Sequence, residues 1–330
     1  MPLICGCGKD ACGKDLANAR ALRGRLCTAM LSGKVLTRSS IPMPRLQALA
    51  PAKVNLTLRV LARRADNNHD LTSLVAFAAI GDRLELEPGA GLELSVHGPT
   101  AAAAGAGSDN LVLVAARAAA SRIEKLKLGR FELEKQIPVG AGFGGGSADA
   151  AAALRLIAEA NGLELSDPRL MEAAKATGAD VPVCLQSKAR IMSGIGEVLS
   201  DPIKLPKLEV VLVYPGLPVA TAAVFRQYQA LIGGRRDAPY AVADIPKRRA
   251  ALVEFIGQEG NDLSWAARAV APVIAAAEES LDENGAELVR MSGSGSGTFG
   301  IFADKDEAKN AAQTIRKERP GWWAVATTLR

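Results

Sequence analysis

The 330 residues predict an α+β fold in two parts, and three observations carry that prediction. Short runs of strictly alternating hydrophobicity, the mark of half-buried strands, are interspersed with alanine-rich helical stretches. Five glycines cluster between one such strand and one such helix. The last third reads strand, helix, strand, strand, helix, strand, with room for an extra helix, which is the order of a ferredoxin-like layer. Composition agrees: 48% hydrophobic, 23% charged and 4% aromatic residues exclude disorder and a disulfide scaffold.

Taken in order, KVNLTLRV (53–60) alternates with Val54, Leu56, Leu58 and Val60 on one face. Lys53, Asn55, Thr57 and Arg59 lie on the other, so the spacing predicts a strand with a polar face available for chemistry. RLELE (83–87) and LELSVH (92–97) flank Pro88-Gly89 and predict an antiparallel hairpin. An Ala/Gly stretch then leads to Ser108 or Asp109 as the N-cap of a helix over about 110–124. FELEKQI (131–137) reads as a strand, and an alanine-rich helix over about 147–160 stops at Asn161-Gly162. A helix at 169–177 and a strand near 189–192 follow. Beyond Pro206 come a strand at 208–214, helices near 222–232 and 262–283, strands at 286–291 and 298–302, a helix from Asp304 to about 318, and a strand at 322–328. The boundary between the two parts is expected near residue 206, giving domains 47–206 and 207–330 after a tail of residues 1–46.

The formal charge of +5 is unevenly spread. Residues 1–46 hold eight basic side chains against Asp10 and Asp15, while the remaining 284 hold 32 basic and 33 acidic groups. The body therefore lacks the basic surface of a nucleic-acid binder. Cysteine is skewed the same way, with Cys5, Cys7, Cys12 and Cys27 in the tail and only Cys184 afterwards, which fits a reducing, cytoplasmic setting. CGCGKDAC lacks the paired CxxC knuckles of a zinc site. No run of about 18 apolar residues offers a membrane span, and the tail has no apolar signal region.

The stretch PVGAGFGGGSADAAAALRLI (138–157) is the most informative. Gly140, Gly142, Gly144, Gly145 and Gly146 leave the backbone bare just before a helix that opens around Ser147. Free N–H groups and the positive end of the helix suit an anion, above all a polyphosphate. Residues 140–145 satisfy GxGxxG, but they lie behind a hairpin rather than in the first turn of a βαβ unit, so a dinucleotide site is disfavoured. No GxxxxGK[ST], HRD or DFG string is present. A second cluster, MSGSGSGTFGIF (291–302), joins two strands through Gly293, Gly295 and Gly297. Alone it reads as a loose hairpin, and beside the first it suggests two turns facing one ligand.

PAKVNLTL (51–58), PVGAGFGGGSADAA (138–151) and SGSGSGTF (292–299) resemble, in this order, the three motifs of the GHMP small-molecule kinases. ADNNHDLTSL (65–74), SDNL (108–111), TGADVPV (177–183) and GIGEVL (194–199) resemble the branch that acts on a cytidine-diphosphate-linked methylerythritol in the non-mevalonate isoprenoid pathway. The resemblance covers about residues 48–330. It implies a two-domain fold: an N-terminal domain like the second domain of ribosomal protein S5, and a ferredoxin-like C-terminal domain. It further implies an ATP site with Mg²⁺, and phosphorylation of the 2-hydroxyl of the acceptor. The partner would be that small molecule, with no nucleic acid and no membrane, in a monomer or weak homodimer. Since MPRLQALAPAKVNL reads as a family N-terminus, Met43 is the expected native start and residues 1–42 a disordered or mis-assigned segment. Another GHMP kinase acting on homoserine, mevalonate or a sugar, and a non-catalytic nucleotide-binding module, stay open.

The resemblance gives Asp180 the role of catalytic base and Lys53 that of its partner. From sequence alone, Asp180 could equally cap a helix and Lys53 be a solvated edge charge. Pro138, Val139, Gly140, Ala141, Gly142, Phe143, Gly144, Gly145, Gly146 and Ser147 would form the nucleotide loop, with the Ser147 hydroxyl as a candidate Mg²⁺ contact. Asn55 is a candidate for the acceptor's diphosphate, His69 for its cytosine, and Phe225 for stacking on that base, although core packing explains a helical aromatic equally well. Asn261 and Asp262 resemble a structural pair of the family. One departure stands out. Asn67-Asn68 occupy positions where the family has Gly-Tyr before the histidine, which removes an aromatic from the cytidine pocket.

Overall fold

The computed structural model describes residues 45–64, 68–89, 91–232 and 241–330. The expectations for the tail, its cysteines and its start, and that for Asn67, lie outside the described residues.

The first half is organised on one long strand. Strand β1 (Leu46–Asn55) runs antiparallel to β3 (His69–Gly89), a 21-residue strand that also pairs with β2 (Arg59–Arg63) at its start and with β6 (Arg190–Gly194) further along. The predicted single strand over 53–60 is thus two, β1 and β2. Residues 56–58 between them are buried, and Leu58 bridges to Asn261 instead. Nor is the polar face solvated: Lys53, Asn55 and Thr57 are all buried.

The expected hairpin is corrected. Strand β4 (Leu92–His97) does not pair with β3; β5 (Leu128–Glu134) lies between them, parallel to β4 and antiparallel to β3. Gly129 makes the insertion feasible, because a Cβ there would lie 2.1 Å from the Glu87 carbonyl oxygen. The helix after the Ala/Gly stretch, α1 (Leu111–Ala120), is capped by Asn110 rather than Ser108 or Asp109, its side chain accepting from the Val112 N–H at 3.0 Å. Helix α2 (Gly145–Asn161) starts two residues earlier than expected and ends at Gly162 in the left-handed region. Its alanines share an apolar cluster with Ala50 of β1 and Val75, Phe77 and Leu84 of β3. Helices α3 (Pro168–Thr177) and α4 (Val181–Gln186) complete the layer, and β7 (Val198–Leu199) pairs with β6.

In the second half, β8 (Leu208–Tyr214), β9 (Leu288–Met291), β10 (Thr298–Phe302) and β11 (Trp323–Leu329) form an antiparallel sheet in the order β11-β8-β10-β9, the ferredoxin-like arrangement the element order predicts. The helix over Val273–Glu283 and helix α9 (Lys305–Glu318) pack on this sheet as the two crossover helices, and α5 (Thr221–Ile232) and α6 (Arg249–Glu259) are extra ones. The single helix expected over 262–283 is two, α7 (Ser264–Val270) and α8 (Val273–Glu283). Pro272 drives the preceding Ala271 out of the helical region, to φ −140° and ψ 88°.

The expected junction near residue 206 falls in an extended segment, 201–207, before β8. Across it the sheets join: Leu329 of β11 pairs with Ala78 of β3. One apolar cluster also runs from Val54, Leu74 and Ala76 to Val210, Leu212 and Phe299. Burial of this shared cluster, which also takes in Ala141 and Phe143, therefore fixes the two halves against each other beside the first glycine motif. Among the described residues no helix is long and apolar enough to cross a membrane.

Candidate active site

Residues 138–144 lead from β5 to α2 and, with the first turn of that helix, line a cleft of about 380 Å³ together with Asp109, Asn110, Leu111, Lys135 and Asp149, among others. Gly140, Gly142 and Gly144 have φ of +74°, +79° and +63°, a region that costs other residues roughly 1–2 kcal/mol. Space demands glycine as well: a Cβ on Gly142 would lie 2.8 Å from the Gly295 carbonyl oxygen. The first intrahelical bond of α2 is donated by the Ala148 N–H to the Gly144 carbonyl, so the N–H groups of Gly145, Gly146 and Ser147 have no helical acceptor and line the cleft. Such a turn is an anion site.

Lys53 is stitched to this loop. Its N–H donates to the Phe143 carbonyl at 2.9 Å, and a Cβ on Gly144 would lie 3.0 Å from the Lys53 Cβ. The Lys53 Nζ meets Asp180 Oδ2 at 2.8 Å, with the lysine side chain 4% and the aspartate 39% exposed. Asp180 opens α4 but its side chain makes no capping bond, and Lys53 is not a solvated edge charge. Cys184, one turn further along α4, is fully buried, and burial pushes its thiol up to about 12. It is no nucleophile.

The second glycine turn backs the first. The Gly297 N–H donates to the Ala141 carbonyl at 2.8 Å, and the Ser292 hydroxyl donates to the Gly142 carbonyl at 3.0 Å while accepting from the Asn55 N–H at 3.1 Å. Three motifs thus converge on Ser292, and none of residues 292–297 lines the cleft. The second turn supports the first. Asn55 is 6% exposed, its amide donating to the Ser73 hydroxyl at 2.7 Å. Asn261 donates to the Met291 and Gly293 carbonyls at 2.9 and 2.8 Å, and Asp262 accepts from the Val60 N–H at 2.9 Å, the structural work expected of that pair.

A second cleft, of about 550 Å³, is lined by Arg63, Asn68, His69, Phe225, Arg226 and Gln229, among others. His69 and Phe225 stack with centroids 4.7 Å apart and planes 21° from parallel. Gln229, one helical turn beyond Phe225, lies 2.9 Å from His69 Nε2. Burial, aided by the Arg63 charge, holds the imidazole below its ordinary pKa. Phe225 also packs on the apolar cluster of Val224, Tyr228 and Leu263, as core packing of a helical aromatic predicts.

Sequence reasoning missed a buried charge cluster under the loop. Lys135 donates to Asp82 and, at 2.8 Å, to Asp149 Oδ2; the three are 2%, 0% and 3% exposed. Burial pushes the Asp149 carboxyl up to about 8 against the pull of Lys135. Although burial lowers it, Lys135 is held above its ordinary range by Asp149 and Asp82. The signal was present: alternation over Phe131, Leu133 and Lys135 puts the lysine on the buried face of β5, and Asp149 interrupts an alanine run.

Among the described residues no three His, Cys, Asp or Glu side chains come together as a metal cage. The loop offers one hydroxyl, Ser147. That donor set fits Mg²⁺, which keeps several waters and takes much of its shell from nucleotide phosphates.

A two-part α+β body with a glycine loop at a helix start and a buried lysine against a carboxylate beside it is the build of a small-molecule kinase. Residues 110–188 match the model for the GHMP kinases N terminal domain and residues 245–320 that for GHMP kinases C terminal, and the chain belongs to the GHMP kinase family. Within the family it is similar to 4-diphosphocytidyl-2-C-methyl-D-erythritol kinase. It is 52% identical over 293 residues to that of Xanthobacter autotrophicus (87% of this chain, 100% of the relative), and 50% identical over 301 residues to that of Nitrobacter hamburgensis (88% and 98%). A crystal structure of 4-(cytidine 5'-diphospho)-2C-methyl-D-erythritol kinase superposes with a TM-score of 0.70 at 34% identity, covering 86% of this chain and 99% of the other. Homoserine kinase from Cytophaga hutchinsonii, at 18% identity and a TM-score of 0.58, shares the fold (87% and 94%).

Proposed function

We propose that the chain transfers the γ-phosphoryl group of ATP to the 2-hydroxyl of 4-diphosphocytidyl-2-C-methyl-D-erythritol. The observation that carries this reading is the Lys53–Asp180 pair, 2.8 Å apart and stitched to an anion-binding loop. The half-exposed carboxylate of Asp180 can reach an acceptor hydroxyl and take its proton as that oxygen attacks phosphorus, releasing the proton later to solvent. Lys53, buried behind it, fixes the carboxylate's orientation and sets a positive charge where the transferring group gathers negative charge. The N–H groups of Gly145, Gly146 and Ser147 and the positive end of α2 hold the phosphates in line with the hydroxyl. Ser147 would hold Mg²⁺, which when bound offsets phosphate charge.

His69 and Phe225 form the wall against which the cytosine of the acceptor is read, with the Asn68 amide where an aromatic would add a second stacking face. Asn55 lies behind the phosphate end and supports it through Ser292. The reading makes the protein a cytoplasmic enzyme of a small-molecule pathway, a monomer or weak homodimer that needs neither nucleic acid nor membrane. Its test is turnover of ATP with a panel of acceptors, with the product identified by mass. Phosphorylation of the cytidine-bearing acceptor and none of homoserine or mevalonate is expected. Equal turnover of those two would make it another GHMP kinase, and ATP binding without turnover a nucleotide-binding module.

A further inference from the structure

The buried cluster of Asp82, Lys135 and Asp149 takes no part in the transfer just described, yet it touches both ends of the nucleotide loop. Asp82 reaches up from β3, and its Oδ1 accepts the N–H groups of Gln136 and, at 2.8 Å, of Ile137. These are the last residues before Pro138 opens the loop. Asp149 lies on the second turn of α2, just past the loop's far end, and is held by the same ammonium at 2.8 Å. The span from Pro138 to Gly144 is therefore strung between two anchors joined through Lys135 Nζ.

An ammonium buried between two carboxyl groups is a costly way to fill space. Apolar side chains of similar volume would avoid the desolvation of the ions. The Asp149 Oδ1 is itself buried without a hydrogen-bond partner, so the cluster is not even fully satisfied. What charges do that apolar groups cannot is fix a distance and a direction. A loop with five glycines needs that, since each glycine has more backbone freedom to lose than any other residue.

We propose that Asp82, Lys135 and Asp149 are positioning residues, a clamp that sets the separation of the two ends of the glycine loop and so aims its N–H groups at a nucleotide polyphosphate. The proposal rests on the reading of this loop as the ATP site. Lys135 and Asp149 line the nucleotide cleft from below the loop, and Lys53 and Asp180, which carry the transfer, stand apart from the clamp on β1 and α4. Loosening the clamp weakens the grip on phosphate in ground and transition states alike, which raises KM for the nucleotide and spares kcat.

The experiment compares full-length wild type, Asp149→Ala and Asp149→Asn, with ATP varied at saturating 4-diphosphocytidyl-2-C-methyl-D-erythritol and the acceptor varied at saturating ATP. Asp149→Ala leaves Asp82 and Lys135 as a matched pair and adds one more alanine to α2, so it should fold. Its KM for ATP should rise about tenfold, with kcat falling less than about threefold and acceptor KM changing less than about twofold. Asp149→Asn keeps an oxygen for Lys135 and should restore KM for ATP to within about threefold of wild type. An unchanged KM for ATP in Asp149→Ala overturns the clamp, as does an asparagine variant no better than alanine. A parallel fall of kcat and rise of both KM values, or recovery of Asp149→Ala only as unfolded protein, overturns it too, since either makes the cluster a general support of the fold. A wild-type protein that transfers no phosphate to this acceptor would instead overturn the proposed function.

Discussion

Replacing Asp180 and Lys53 one at a time should separate stability from catalysis, because the two partners are unequally buried. The Lys53 side chain is 4% exposed and that of Asp180 is 39%. In Asp180→Asn the ammonium keeps its burial and loses its counter-charge. Breaking a fully buried pair this way costs about 3–5 kcal/mol, and solvent access at the aspartate end brings that to about 2 kcal/mol. In Lys53→Met the volume of the side chain is kept, and the carboxylate left behind already meets water, so the cost should stay within about 1 kcal/mol. For a body of this size the first change corresponds to a melting temperature lower by about 3–4 °C and the second to a shift of less than about 2 °C. Both should lose activity: about 10²–10⁴-fold in kcat for the missing base, and at least about 10²-fold for the missing charge. Thermal melts and steady-state kinetics on the same preparations give the answer. Equal melting temperatures for the two variants, or a Lys53→Met protein within tenfold of wild-type kcat, would refute the argument.

Gly297→Ala sets a Cβ 2.1 Å from the Ala141 carbonyl oxygen and 2.6 Å from the Phe143 ring. It should destabilise by about 3 kcal/mol and raise KM for ATP, measured by denaturant titration and kinetics. His69 is held below its ordinary pKa of 6.5, so the unfolded chain takes up its proton first as pH falls. The stability it contributes is present above about pH 6.5 and is lost on acidification toward its lower folded pKa. A His69→Gln variant should therefore lose less melting temperature than wild type between pH 7 and 5.5, and an identical loss would show the imidazole plays no part. Asn68→Tyr restores an aromatic face to the cleft shared with His69 and Phe225. It should lower acceptor KM several-fold, since base stacking is worth about 1–3 kcal/mol in nucleic-acid sites. KM for ATP should stay put, and a shift there would assign the loop to the wrong ligand.

What the chain made legible, and what it hid, follows from the range of the interactions involved. The strand at 208–214 and the helix that stops at Gly162 were readable because alternation and a left-handed cap are local. The β-α-β-β-α-β order sufficed for the second sheet because such a layer has few ways to pack. Pairing of β4 with β5 was not readable, since the proline-glycine turn after Glu87 says that the chain reverses but not that another strand will slip between. The break at Pro272 was local and simply outweighed by the helical pattern around it. Within the site, the glycine loop announced itself through backbone requirements, whereas the meeting of Lys53 with Asp180 needed a resemblance to suggest it. Lys135 and Asp149 belong to no pattern that links them across 14 positions, and only the fold buries them together.

The hydrogen bond from the Asn55 N–H to Ser292 joins residues 237 positions apart, and that from Ser292 to Gly142 joins residues 150 apart. Contacts of such separation must wait for most of the chain to be available, and long-range closure is slow. During synthesis the glycine loop must emerge without the turn that backs it, exposing its bare backbone until β9 and β10 arrive. The reverse holds in the finished molecule. An opening confined to β9 and β10 would strip the loop of its support while the apolar cluster of α1, α2 and β3 stayed intact. Nucleotide affinity would then report on the second half of the chain long before any spectroscopic sign of unfolding appeared in the first.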